Sequence, residues 1–263
     1  MAEPLTTRVG HWTIELLEKS ADFAAFSREA VVQLIKPPYR PSLIVYQAVR
    51  QGVGSLGIAN LSSFFIGMVI VLQTGYQLSK FGAKGYVSGL ALAALVREMV
   101  PVFVGLVVGA RVAANIAAEL GTMRVTEQIS ALQALAVDPV NYLVAPRIVA
   151  CLLSLPVLSL YCLVTGYLGG MLVGGVVLGI GPAQYFYSSM DFIVFNDVWQ
   201  ALLKTAVFGV VIAISGCYSG FRARGGAEGV GRATNEAIVY CMTFVLLFDY
   251  IINQWFLVLV EGL

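Results

Sequence analysis

Hydrophobic and polar positions divide this chain into an amphipathic N-terminal segment, five long apolar runs, and one amphipathic island lying between the second and third runs. Over residues 11–36, Trp12, Leu16, Phe23, Phe26, Ala30 and Leu34 recur at helical spacing, with Glu15, Glu18, Lys19, Asp22, Glu29 and Gln33 on the opposite face. This pattern predicts a helix lying in a membrane interface or docked on the body of the protein. Pro37, Pro38 and Pro41 end it, because proline has no amide donor and displaces the preceding residue from helical geometry. From Leu56 to Leu78 there is no charged residue, and these 23 positions, at about 1.5 Å each, suffice to cross a hydrocarbon core of about 30 Å. Further spans are predicted at 86–110, 148–179, 198–219 and 236–260. The third carries Gly166, Gly170 and Gly174 at four-residue intervals, a spacing that lets helix backbones approach closely in lipid. Residues 181–197 are aromatic-rich and lack Lys and Arg, predicting a short helix or loop at an interface.

The island, ELGTMRVTEQISALQALAVDP from Glu119 to Pro139, places Val125, Ile129, Leu132 and Ala136 on one helical face and turns Arg124, Glu127 and Gln128 elsewhere. Thr122 is the expected N-cap, and Asp138-Pro139 the stop, of a helix of about four turns. Joined at both ends to membrane spans, it has the form of a coupling element to a protein partner.

Composition supports the membrane assignment. The 263 residues are 59% hydrophobic and 12% charged, with mean hydropathy +0.84, whereas a soluble domain is about 25% charged. A net charge of +1 leaves no basic surplus for nucleic acid. Cys151, Cys162, Cys217 and Cys241 all fall in apolar runs with no CxxC pair, and the single histidine is His11, so buried thiols are expected and no metal site. No apolar signal-peptide core precedes residue 36. With the N-terminus cytoplasmic, twelve Lys and Arg residues fall in the inner flanks and only Lys80 and Lys84 in the outer ones; Arg97 and Lys204, in or at the edge of spans, stand outside that comparison. The positive-inside rule then places the N-terminus and the island in the cytoplasm and the C-terminus outside. The expected fold is an all-α integral membrane protein: an interfacial amphipathic helix, five transmembrane helices, and a cytoplasmic coupling helix between the second and third.

Charges inside the spans are the candidate chemistry. Glu98 and Asp249 share a depth about 16–18 Å below the outer surface. Ionised groups there cost about 2.5–3.5 kcal/mol or more and face a partner or a cavity. Arg97 is the expected partner of Asp249, with Glu98 turned toward a cavity; for both acids, cavity lining and structural pairing stay open. Pro101 is expected to kink the helix beside them. Leu72, Tyr76 and Leu78, near the outer end of the first span, suit an apolar groove for acyl chains, and Gln73 and Gln77 suit bonds to a neighbouring helix. No GxxxxGK[ST] occurs, and the glycine-rich RGGAEGVGR lacks the lysine and follows no strand, so nucleotide must be handled by another chain. No catalytic residue is assigned.

The run AAELGTMRVTEQISALQALAVDPVNYLVAPR (Ala117 to Arg147), with LVREMVPV (Leu95 to Val102), FFIGMVIVLQ (Phe64 to Gln73) and LLFDY (Leu246 to Tyr250), resembles the MlaE/YrbE family of permeases from Mce-associated ABC transporters. The resemblance covers nearly the whole chain. It implies a homodimeric permease of the bacterial inner membrane whose coupling helix docks on an ATPase subunit that holds ATP and Mg, leaving no cofactor in this chain. It also implies a periplasmic Mce-domain hexamer, and phospholipid moved between inner and outer membranes, as in maintaining outer-membrane lipid asymmetry. A small cytoplasmic regulatory subunit is left open. Glu98 matches the glutamate associated with the family's lipid cavity; Arg97, Leu72, Tyr76, Leu78 and Asp249 complete the expected substrate site. Glu119, Gly121, Thr122, Arg124, Thr126, Glu127 and Asp138 are the expected ATPase-coupling residues. The competing reading is an ion-coupled secondary carrier using Arg97, Glu98 and Asp249 as its relay; the odd number of spans and the island stand against it. An intramembrane lipid-modifying enzyme would need clustered nucleophiles that the sequence lacks.

Overall fold

In the computed structural model, residues 5–34 and 40–259 are described. The expected breaks at Pro37 and Pro38, and the side chains of Trp12, Glu15 and Leu16, lie outside the described residues. The described chain is helical, with no strand: α1 Leu5–Leu34, α2 Pro41–Gln51, α3 Leu56–Lys80, α4 Val87–Ala94, α5 Val100–Phe103, α6 Gly109–Val125, α7 Gln128–Ala134, α8 Ala145–Val176, α9 Pro182–Met190, α10 Phe195–Phe221 and α11 Gly226–Leu259. Five stretches are long and apolar enough to cross a membrane: Pro41–Lys80, Lys84–Val125, Val140–Val176, Phe195–Phe221 and Gly226–Val258.

Packing follows the small residues. A Cβ at Gly67 on α3 would lie 1.8 Å from the carbonyl oxygen of Gly166 on α8, and one at Gly169 would lie 2.2 Å from the carbonyl oxygen of Phe64. The two backbones touch, as the four-residue glycine spacing predicts. Toward the C-terminal end of α8, the same seam holds the fully buried Tyr185 of α9 against Gly170 and Gly174. A second seam joins α6, α10 and α11, where Gly216 and Gly220 admit Ile116 and Leu120. All four cysteines are free and buried.

Three boundaries differ from expectation. The polar segment after residue 221 is largely helix, because α11 begins at Gly226; the turn shrinks to the residues around Gly225 (φ 89°) and Gly226 (φ 71°), whose left-handed backbone favours glycine. The Ala, Glu and Arg content of that segment supports helix once the turn is made. Span two is not one regular helix: π-helical turns occupy Leu95–Met99 and Val104–Val108, on either side of Pro101. The island is not one four-turn helix either. α6 runs on through Thr122 to Val125, the chain breaks at Glu127 (φ 59°), and α7 adds seven residues before a second left-handed position at Ala136 (φ 56°). Thr122 therefore caps nothing; its Oγ1 donates to the Ala118 carbonyl at 2.8 Å, inside the helix.

α1 lies against the island end of this bundle. Phe23 stacks on Phe244 with ring centroids 4.6 Å apart and meets Tyr218 edge-on at 5.0 Å. Gln33 donates to Asp138 at 2.7 Å, and Asp22 pairs with Arg222 at 2.8 Å.

Candidate functional site

Pro101 organises the charged site through what it lacks. In an α-helical ladder its amide would serve the carbonyl four residues earlier, that of Arg97, and proline has no N–H to give. Lys204 of α10 supplies a donor there: its Nζ is 2.8 Å from the Arg97 carbonyl oxygen. The same ammonium donates to Glu98 Oε1 at 3.0 Å and forms an ion pair with Asp249 Oδ1 of α11, also at 3.0 Å. Lys204 is fully buried, Glu98 is 39% exposed by its side chain and Asp249 15%. One cation thus ties the second span to the fourth and fifth. Counted from the nearer ends of α4, α10 and α11, these three residues lie 11, 9 and 10 positions in, a depth of about 13–17 Å.

Arg97 belongs to a different pair. Its Nε lies 2.8 Å from Oδ1 of Asp197. Asp197 also caps α10, its Oδ2 accepting from the Val194 amide at 3.0 Å. The expected Arg97–Asp249 pair is therefore corrected. Periodicity places residues at a depth but does not rotate one helix against another, and α10, beginning at Phe195, carries Lys204 well into its span. Lys204 and Asp197 are the site residues that sequence reasoning missed. A lysine in an otherwise apolar run was the available signal.

Two cavities meet at Glu98. The larger, about 750 Å³, is walled by Phe65, Ile66, Val69, Ile70, Met99, Val102, Phe103 and Leu106, with Gln73, Glu98 and Asp249 its only polar residues. The smaller, about 250 Å³, is lined by Arg97, Glu98, Gln200, Asn253, Phe256 and Leu257. Gln200 donates to Asn253 Oδ1 at 3.0 Å, and the Asn253 amide nitrogen is 3.4 Å from Asp249 Oδ2. The smaller cavity draws on the first turns of α10 and the last turns of α11, while the larger runs along α3 from Gln73 to Phe65. An apolar trough with a polar chamber at one end has the chemistry of an amphiphile site.

The predicted site residues fall unevenly around it. Glu98 and Asp249 line the apolar cavity and Arg97 the polar one. Leu72, Tyr76 and Leu78 line neither; Leu72 and Tyr76 are exposed, Tyr76 carries Lys80 over its ring at 4.2 Å, and Leu78 packs beside Val71 and Val173. α3 turns the 65–66–69–70–73 stripe toward the cavity instead, because residues three and four apart share a face.

In the island, Glu119 is held between Arg50 at 2.8 Å and the buried Arg147 at 2.9 Å. Gly121 is buried, with room for a Cβ only 3.2 Å from that of Ala223. Asp138 accepts from the Val140 amide at 2.9 Å and from Gln33. Glu119 and Gly121 are turned toward the body of the protein, whereas Asp138 is exposed and held by its two hydrogen bonds. Thr122, Thr126 and Glu127 are exposed, and Arg124 is half-buried. Ser130 hydrogen-bonds the Glu127 carboxylate, and Gln128 donates to Thr126 Oγ1 at 3.1 Å. Ile129 is buried and Leu132 packs on the core, as the predicted face requires, while Ala136 is exposed. The outward surface is thus the turn at 126–128 and the end of α7, where Leu135 is 73% exposed.

Comparison with known proteins follows the same lines. The family model of the permease MlaE matches residues 44–255. The chain is 41% identical over 246 residues to a probable ABC transporter permease protein of Rickettsia typhi, covering 94% of this chain and 95% of that one. It is 38% identical over 202 residues to a probable ABC transporter permease protein of Synechocystis, 77% of either chain. It is also 33% identical over 228 residues to the Arabidopsis thaliana protein TRIGALACTOSYLDIACYLGLYCEROL 1, chloroplastic, covering 87% of this chain and 65% of that protein.

Proposed function

This chain belongs to the MlaE permease family, and from that premise we propose that it is the transmembrane subunit of an ATP-driven transporter that moves phospholipid between the inner and outer bacterial membranes. The observation that carries this reading is the trough itself: about 750 Å³ walled by apolar side chains, lying among membrane-spanning helices, with Glu98 and Asp249 at its polar end. Acyl chains fit the first part and a headgroup the second. The name of the Arabidopsis relative, which is that of a glycolipid, agrees with a lipid cargo.

The chain works as a homodimer, with its N-terminus and island in the cytoplasm and its C-terminus in the periplasm. ATP and Mg bind a separate ABC ATPase, which meets the exposed turn Thr126–Gln128 and the end of α7; a periplasmic Mce-domain hexamer receives or delivers lipid at the opposite end. Arg124 and Glu127 supply charge at the ATPase contact, whereas Glu119, Gly121 and Asp138 support it from behind. Because α6 is continuous from the π-turns beside Glu98 to Val125, a push on the island reaches the trough along one helix.

The test is purification of the intact complex, identification of co-purifying chains, and mass spectrometry of the extracted lipid, followed by ATP-dependent lipid transfer between vesicles. Reversing the charge of both Arg124 and Glu127 is expected to abolish ATP-dependent transfer while membrane insertion persists. Full transfer by the purified chain alone under an ion gradient would overturn the reading in favour of an ion-coupled carrier built on Lys204, Glu98 and Asp249.

A further inference from the structure

The charges around the polar chamber do not cancel. Among the described residues, Arg97 and Lys204 face Glu98, Asp197 and Asp249, two cations against three carboxylates. Lys204 donates to the Arg97 carbonyl and to Glu98 and lies in an ion pair with Asp249, so its charge is already shared between two carboxylates. Glu98 uses only Oε1 on Lys204, and its half-exposed carboxylate lines both the trough and the chamber. Gln200 spends its amide nitrogen on Asn253, which leaves the amide oxygen as an acceptor at the same wall. Arg97, adjacent in sequence and of opposite sign, lines the chamber too.

We propose that the chamber selects a zwitterionic lipid headgroup bearing a primary ammonium, a phosphoethanolamine, whose ammonium sits on Glu98 Oε2 and the Gln200 amide oxygen while its phosphate faces Arg97. This rests on the lipid-transport reading above and deepens it by naming the headgroup class. Three observations converge. The chamber presents one cation and one anion side by side, the pattern of a zwitterion. The acceptors left over, a carboxylate oxygen and an amide oxygen, match a group that has only donors to offer. The uncompensated carboxylate sets the sign of the discrimination: a zwitterion adds no net charge to a site within the membrane, whereas a phosphoglycerol headgroup adds a second negative charge beside Glu98, and like charges in poorly solvated surroundings repel. A quaternary ammonium carries a charge but no N–H, so a phosphocholine headgroup leaves the Gln200 oxygen unserved. The trough continues from Glu98 away from the chamber, so the acyl chains run inward along α3 from Gln73 toward Phe65.

The test uses the full-length chain in lipid nanodiscs carrying trace photoactivatable lipids with identical acyl chains and a phosphoethanolamine, phosphocholine or phosphoglycerol headgroup, with crosslinks mapped by mass spectrometry to the trough residues Phe65, Met99 and Leu106. Phosphoethanolamine lipid is expected to label the trough about fivefold more than phosphoglycerol lipid, the effect of a partly exposed charge contact, and Glu98→Gln is expected to abolish that preference. Gln200→Leu, which leaves every ion pair in place, is expected to bring phosphoethanolamine capture down to that of phosphocholine. Equal trough labelling by phosphoethanolamine and phosphoglycerol lipids overturns the headgroup assignment and leaves the lipid reading standing, as does a preference that survives in Glu98→Gln. Phosphocholine captured as well as phosphoethanolamine by the unaltered chain overturns the primary-ammonium requirement. No trough labelling by any lipid overturns the lipid-transport reading itself.

Discussion

Replacing Lys204 with methionine keeps most of the side-chain volume and removes the only group that reconciles Glu98 with Asp249. Both carboxylates lie within 3.0 Å of the ammonium, so its loss leaves two anions facing one another across a gap lined by a backbone carbonyl. Removing one member of a buried ion pair costs about 3–5 kcal/mol. Asp249, 15% exposed, bears most of that cost; Glu98, 39% exposed, relaxes into the trough and contributes no more than the roughly 1 kcal/mol of a surface pair. The orphaned Arg97 carbonyl adds about 1 kcal/mol. Lys204→Met is therefore expected to destabilise the fold by about 5 kcal/mol in total, the middle of the buried-pair range plus the orphaned carbonyl. Equilibrium unfolding in mixed micelles, followed by tryptophan fluorescence and circular dichroism, measures it. Adding Glu98→Gln and Asp249→Asn to the same chain removes both stranded charges, and stability should return to within about 1–2 kcal/mol of the unaltered protein, because neutral isosteres leave no unpaired ion. A Lys204→Met chain within about 1 kcal/mol of the unaltered protein, or a triple variant no more stable than the single one, would refute the claim that one ammonium holds three helices.

Gly67→Val is expected to separate α3 from α8 and prevent recovery of folded protein from the membrane, since even a Cβ would meet the Gly166 carbonyl at 1.8 Å; size-exclusion of solubilised protein reports it. Pro101→Ala gives residue 101 an amide that competes with Lys204 for the Arg97 carbonyl, and hydrogen exchange at 95–108 should slow as the π-turns relax toward regular helix. Glu119→Ala strands the buried Arg147, so it should lower stability by about 3 kcal/mol in unfolding experiments even with no ATPase present, which separates a structural role from a coupling one. Glu127→Gly relieves a left-handed backbone position at the expense of one exposed hydrogen bond, and should raise stability by about 0.5–1 kcal/mol.

The parts of this fold legible in the sequence were those set by a single helix acting alone. Five apolar runs of adequate length gave five crossing helices, and glycines four apart gave the contact of α3 with α8, because both are properties of one helix and its solvent. The aliphatic face of the island, Ile129 and Leu132, was likewise visible in its period. Pairings across helices were not. Arg97 could be placed at a depth beside Asp249, yet which carboxylate it reaches depends on how α4, α10 and α11 rotate about their axes, and the structure gives it Asp197. The trough stripe 65–66–69–70–73, rather than Leu72, Tyr76 and Leu78, faces inward for the same reason. The break at Glu127 escaped because a left-handed residue other than glycine leaves no compositional mark.

The clamp on Lys204 also sets an order of events during biogenesis. Glu98 is separated from its cation by 106 residues, and Arg97 from Asp197 by 100. At the usual pace of synthesis, about 5–20 residues per second, roughly 5–20 s pass between the making of Arg97 and Glu98 and that of their partners on α10. For that interval an arginine, a glutamate and an unserved carbonyl must wait without their final partners in a helix otherwise fit for lipid. Asp249 arrives later still. The second span therefore reaches its final setting only after the fourth and fifth have been made.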